Sequence, residues 1–173
     1  ICKLQLFYIM RAGYQILKWS IIFILSFTTF NLFLSPKVES SIIIQSTSDN
    51  VYVHVNNLKN WPKWAVWWQK DPDMKTSFSY DSSFMSWEGS EYKGSLRIIS
   101  SDTSSIRYKF YFDINDTTKF TYGNFNFLDV DNKTKVIWKL EDDLPFYLRF
   151  MKFFIIADFE KGLDRLKEVI EIR

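Results

Sequence analysis

The sequence predicts an α+β domain: an antiparallel sheet of six to seven strands packed on a long C-terminal helix, with one apolar helix ahead of it. Three observations predict it. Between Lys75 and Glu141 strand-like segments alternate with turn residues. From Phe146 to Ile172 the residues recur at helical spacing, and from Trp19 to Leu34 the chain carries no charge at all.

The N-terminal stretch comes first. Trp19–Leu34 reads WSIIFILSFTTFNLFL, and counting from Ile16, with Lys18 reaching back to the headgroups, gives 19 residues. About 20 are needed to span a bilayer as a helix, so residues 16–34 are a transmembrane candidate. Lys3, Arg11 and Lys18 lie on the upstream side, which puts the N-terminus in the cytoplasm and the following domain outside it, periplasmic in a bacterium. We read an uncleaved, single-pass anchor. A cleaved signal peptide has the same basic head and apolar run, but cutting at Val38-Glu39-Ser40 would remove the start of the first predicted strand. The chain begins at Ile1, and Met10-Arg11 stands just before the apolar run, which points to a start at Met10 or to residues upstream. The division is therefore residues 1–37 as tail and anchor and residues 38–173 as one domain.

That domain opens on Glu39–Gln45, a β-branched run expected as a strand. Ser46–Asp49 supply capping residues for a helix over Val51–Leu58. Next comes a unit with four of the seven tryptophans, Trp61, Trp64, Trp67 and Trp68. On one helix Trp61, Trp64 and Trp68 would share a face, with Pro62 in its first turn and Asp71-Pro72-Asp73 ending it. Strands are then expected at Lys75–Tyr80, Phe84–Glu88, Ser95–Ser101, Ser105–Asp113, Thr118–Phe127 and Thr134–Glu141. Alternation is clearest where Tyr108, Phe110 and Phe112, and again Val136, Trp138 and Leu140, point one way. The last segment, Phe146–Ile172, is expected as one helix. Its second half carries a stripe of Phe159, Leu163, Leu166 and Ile170, and its first half, FYLRFMKFFIIADF, is apolar nearly all round.

Charge and composition exclude several functions. The overall +2 less the +4 of Lys3, Arg11, Lys18 and Lys37 leaves −2 on residues 39–173, with no basic stripe for nucleic acid. His54 is the single histidine and Cys2 the single cysteine. No metal site, cofactor site or Ser-His-Asp arrangement is therefore expected, and no phosphate-binding glycine loop appears. Aromatic residues make up 19% of the chain, a share that suits a greasy cavity or an aromatic-filled core.

Asn60-Trp61-Pro62-Lys63-Trp64, Trp67, Asp71-Pro72, Trp87-Glu88-Gly89, Gly94, Thr134–Trp138, Asp158–Leu163 and Leu166-Lys167 form an ordered series. With it, the chain from Glu39 onward resembles the polyketide cyclase/dehydrase-like branch of the START-like (SRPBCC) superfamily. The resemblance implies a helix-grip fold, in which a curved sheet closes on the C-terminal helix around a cavity, and a bacterial source. In a bacterium the acceptor-like triplets Asn115-Asp116-Thr117 and Asn132-Lys133-Thr134 carry no meaning. Relatives usually place glycines before Trp-Glu-Gly where this chain has Ser82–Ser86, so the hairpin and any pocket entrance there do not carry over.

On this basis the expected function is binding of an apolar or amphipathic, lipid-like small molecule, without catalysis. The expected walls are Trp64, Trp67, Trp87, Phe110, Phe112, Trp138 and Phe153, with Arg149 as a polar anchor. A cyclase or dehydratase acting on a polyketide-like substrate is the enzymatic alternative. It would use a carboxylate of shifted pKa, Glu88 or Asp113, or Arg149. An envelope interaction protein with a filled cavity is the third.

Overall fold

The computed structural model describes residues 2–90, 93–114 and 117–172. The acceptor-like triplet at 115–117 falls largely outside them. The chain divides into two compact units, residues 1–36 with 145–150, and residues 37–144 with 151–173.

In the first unit, helix α1 runs Cys2–Phe33. Its stretch Met10–Phe33, 24 residues at a mean hydropathy of 1.6, is long and apolar enough to cross a membrane; a signal sequence near an N-terminus meets the same test. A 3-10 helix, Phe146–Met151, follows Pro145 and lies in this unit up to Phe150, its first turn closed by the Leu148 N–H donating to the Pro145 carbonyl at 2.8 Å. Here the structure corrects the single helix expected over 146–172. Proline starts a tight turn, and the ring-rich residues after it gain little from helix propensity, so the α-helix begins only at Lys152.

The second unit holds a seven-stranded antiparallel sheet among the described residues. Its strands are β1 (Glu39–Ile44), β2 (Lys75–Phe78), β3 (Phe84–Glu88), β4 (Lys93–Asp102), β5 (Ser105–Ile114), β6 (Thr117–Val130) and β7 (Lys133–Leu140). The order across the sheet is β1-β7-β6-β5-β4-β3-β2. Consecutive strands from β2 to β7 are neighbours, as short turns dictate, and β1 returns to pair with β7, Ile42 opposite Val136. The β6–β7 turn is two residues, Asp131 and Asn132, both at positive φ (49° and 61°), the conformation that matches strand twist and that Asp and Asn tolerate.

Helix α5 (Lys152–Glu171) lays Phe159, Leu163, Leu166 and Ile170 on one face of this sheet, the stripe its spacing predicts. Helix α2 (Ser48–Asn56) buries Val51 and Val55. A seven-stranded curved antiparallel sheet gripping a long C-terminal helix is the helix-grip fold.

The tryptophan unit departs from its expectation. After a 3-10 turn at Leu58–Asn60 it forms two one-turn helices, α3 (Trp61–Trp64) and α4 (Trp67–Lys70). Ala65 turns extended between them, at φ −69° and ψ 131°. The break sends Trp61 and Trp64 inward, both 0% exposed, and leaves Trp67 and Trp68 half-buried. Together the inner rings fill the middle of the grip. Trp138 stacks on Phe159 with centroids 3.9 Å apart and planes 4° from parallel, and meets Phe125 at 4.8 Å and Trp64 at 5.7 Å. Two indole N–H groups are satisfied, Trp61 donating to the Val55 carbonyl at 2.8 Å and Trp138 to the Tyr108 hydroxyl at 2.7 Å. The Trp64 indole nitrogen has no partner among the described residues. Burial raises the Tyr108 phenol above its ordinary range, so this hydroxyl stays protonated.

The β2–β3 loop is knotted by one carboxylate. Asp81 accepts from the Ser79 hydroxyl (2.6 Å), the Ser83 hydroxyl (2.8 Å) and the Ser83 N–H (3.1 Å), and Ser82 beside it sits at φ 60°. The Ser79 hydroxyl first, then Ser83, holds the Asp81 pKa down to about 2 from 3.8. A lowered carboxylate favours the folded state above its unfolded pKa, and this contribution fades as pH falls toward the folded value. Asp81→Asn is thus expected to reduce stability at neutral pH and to flatten the acid side of the stability curve between about pH 4 and about pH 2. Urea midpoints of the two proteins across that window check it; parallel curves would refute it.

Candidate functional site

The recess with the greatest concentration of rings lies at the β2–β3 end of the grip. It encloses about 240 Å³ and is lined by Trp67, Trp68, Lys70, Met74, Trp87, Phe110 and Asp158. Each wall has a local cause. The extended turn at Ala65 points Trp67 across to Phe110, 5.7 Å between centroids. Trp68 is oriented by its indole N–H donating to the Thr76 hydroxyl at 2.8 Å, and its ring meets Trp87 edge-on at 6.3 Å. Trp87 lies flat over β4 because Gly94 opposite it has no side chain. A β-carbon there would fall inside the indole and within 2.7 Å of the Tyr111 carbonyl. Trp87 and Phe110 are 5.3 Å apart.

The charged feature of the recess is one ion pair. Lys70 Nζ donates to both oxygens of Asp158 at 2.6 Å, the carboxylate side chain being 22% exposed and the lysine 50%. An exposed pair of this kind adds little stability, but at the edge of an apolar recess it offers both a donor and an acceptor to the polar end of a ligand.

Of the residues predicted as walls, the structure brings Trp67, Trp87 and Phe110 together. Phe112 is half-buried 5.7 Å from Phe110 and does not line the recess. Trp64 and Trp138 are 0% and 1% exposed, sealed into the stack described above, because the turn ending at Ala65 directs Trp61 and Trp64 inward and Trp138 packs against both. Phe153, on the first turn of α5, is 51% exposed. Arg149 belongs to the first unit, where its Nη1 donates to the Asn31 carbonyl at 3.5 Å. Sequence reasoning missed Trp68, Met74, Lys70 and Asp158 as lining residues. Asp158 stood in the family-like series, and nothing local marks it as the partner of a lysine 88 positions earlier.

The candidate acids are elsewhere. Glu88 pairs with Lys93 at 2.6 Å, and that hydrogen bond and charge lower its pKa. Asp113 accepts from the Thr118 hydroxyl at 2.7 Å. Both line a broad, polar groove of about 790 Å³ with Lys75, Ser95, Arg97 and Tyr111. His54 sits on its own helix, Nδ1 at 2.8 Å from the Asn50 carbonyl.

No family model and no curated protein matches the chain. Solved structures do resemble it. The Aha1 dimer from Colwellia psychrerythraea is similar at a TM-score of 0.60 and 15% identity, over 79% of this chain and 96% of that one. Protein MLL2253 from Mesorhizobium loti is similar at 0.61 and 8%, over 78% and 96%. DynU16, from the dynemicin biosynthetic locus, is similar at 0.58 and 10%, over 78% of this chain, which spans about half (47%) of DynU16. At these identities the likeness shows the fold alone.

Proposed function

We propose that this chain is a membrane-tethered helix-grip protein that binds a small apolar or amphipathic, lipid-like molecule without catalysis. The observation that carries the reading is the recess of Trp67, Trp68, Trp87 and Phe110 edged by Lys70 and Asp158. Its volume lies just under the range of about 300–1,000 Å³ usual for drug-sized ligands, so the occupant is one ring or the end of one chain. The apolar stretch 16–34, helical through Phe33 in α1, is the tether, with the domain on the non-cytoplasmic side as Lys3, Arg11 and Lys18 suggest.

The test is native mass spectrometry of residues 38–173, followed by solvent extraction and titration with a fluorescent fatty-acid probe. A stoichiometric apolar species, or saturable probe binding, is expected. Trp67→Ala removes one wall and is expected to weaken the probe at least about tenfold with an unchanged circular dichroism spectrum. Wild-type affinity in that variant would exclude the recess.

A second reading has its own observation. Trp61, Trp64, Trp138 and Phe159 occupy the middle of the grip, where a larger ligand would otherwise lie. A clean apo mass with no probe binding would favour an envelope interaction protein that works through its surface.

A further inference from the structure

The run Phe146–Phe154 was expected to flank a cavity, and the recess uses none of it. It reads FYLRFMKFF, five rings with Arg149 and Lys152, and no acid stands between Asp143 and Asp158. Its two halves show the same character separately. In the first unit Tyr147 is 64% exposed, while Phe150 packs edge-on against Phe27 at 5.8 Å and Arg149 reaches the Asn31 carbonyl near the last turn of α1. The Arg149 Nε is buried and has no partner among the described residues. In the second unit the first turn of α5 leaves Phe153 and Phe154 51% and 68% exposed, next to Met151 at 40%.

Rings facing outward in each half mark surfaces fit for interaction, and cations interleaved with rings, without an acid, are the composition of a segment lying in a headgroup layer. The contacts of Phe150 and Arg149 hold residues 146–150 against the C-terminal end of the candidate span, where a bilayer surface would be, and residues 151–154 follow them directly in sequence. We propose that residues 146–154 are a second membrane contact, seated on an anionic phospholipid surface with Tyr147, Phe153 and Phe154 in the acyl boundary and Arg149 and Lys152 at the phosphates. The inference rests on reading α1 as a membrane span.

The test uses the full chain, with Cys2→Ser, reconstituted into vesicles of phosphatidylcholine alone or mixed with phosphatidylglycerol. An environment-sensitive nitrobenzoxadiazole probe is placed singly through Ile22→Cys, Tyr147→Cys, Phe154→Cys or Tyr80→Cys. Tyr80 is fully exposed on the β2–β3 loop and serves as the aqueous reference. Doxyl lipids are expected to quench the probes at positions 22, 147 and 154 and not at 80, with stronger quenching at 147 and 154 in the anionic vesicles. Arg149→Gln with Lys152→Gln is expected to reduce quenching at 154 severalfold there. Quenching at 22 with none at 147 or 154 would overturn the inference and keep the span. Quenching at none of the three would overturn both, and equal quenching in the two lipids would overturn the anionic preference.

Discussion

Trp138→Ala is expected to cost about 4–5 kcal/mol, a large part of the 5–15 kcal/mol that holds a domain of this size. The indole is 1% exposed and sits where strand β7 meets α5, stacked on Phe159 and against Phe125, Trp61, Trp64 and Trp67. Removing it leaves a cavity bounded by other rigid rings, which cannot collapse into it as flexible aliphatic chains could. It also removes the donor that the buried Tyr108 hydroxyl accepts from. Trp138→Phe keeps a ring in the stack and loses the hydrogen bond, so it should fall between, at about 2 kcal/mol. Urea unfolding of both variants, followed by circular dichroism, checks the order. Equal losses would show that the hydrogen bond, and not the stack, dominates, and a loss under about 1 kcal/mol for alanine would refute the account.

Gly123→Ala should be nearly as damaging, with the opposite sign from the usual case. Alanine in a strand interior ordinarily gains roughly 0.5–1 kcal/mol over glycine. Here Gly123 of β6 pairs with Tyr108 of β5, and a β-carbon would fall inside the Tyr108 phenol. The phenol cannot swing aside without leaving Trp61, Phe125 and the Trp138 N–H. Overpacking and a strained hydrogen bond together are expected to cost about 3 kcal/mol. A double-mutant cycle with Tyr108→Ala isolates the clash: the glycine substitution should be largely relieved when the ring is absent, a coupling of about 2 kcal/mol. Additive losses would show that the glycine matters for the backbone rather than for the ring.

The strands were legible because they are written locally. A β-branched run located the first of them, and strand-like segments between serine- and aspartate-rich turns, with period-two alternation clearest in β5 and β7, located the other six, within about three residues at each end. The stripe on α5 was legible for the same reason. The candidate site was not, because its geometry depends on one backbone turn and one long-range pair. Spacing placed Trp61, Trp64 and Trp68 on a common face; the extended conformation at Ala65 divided them into two core residues and the edge of a recess. Periodicity also could not show that Lys70 would meet Asp158, or that Pro145 would delay the last helix until Lys152.

The pairing of β1 with β7 also governs how the domain can be made. Ile44 lies opposite Thr134, about 90 residues later, while every other strand finds its neighbour next in sequence. During synthesis the meander from β2 to β7 can assemble as it emerges. The isoleucine-rich first strand waits, with its edge open, until β7 has been made, and closing so distant a pair is slow. The first strand of this domain is therefore fixed only after its last strand has been made, and the interval exposes a β-branched strand to other chains.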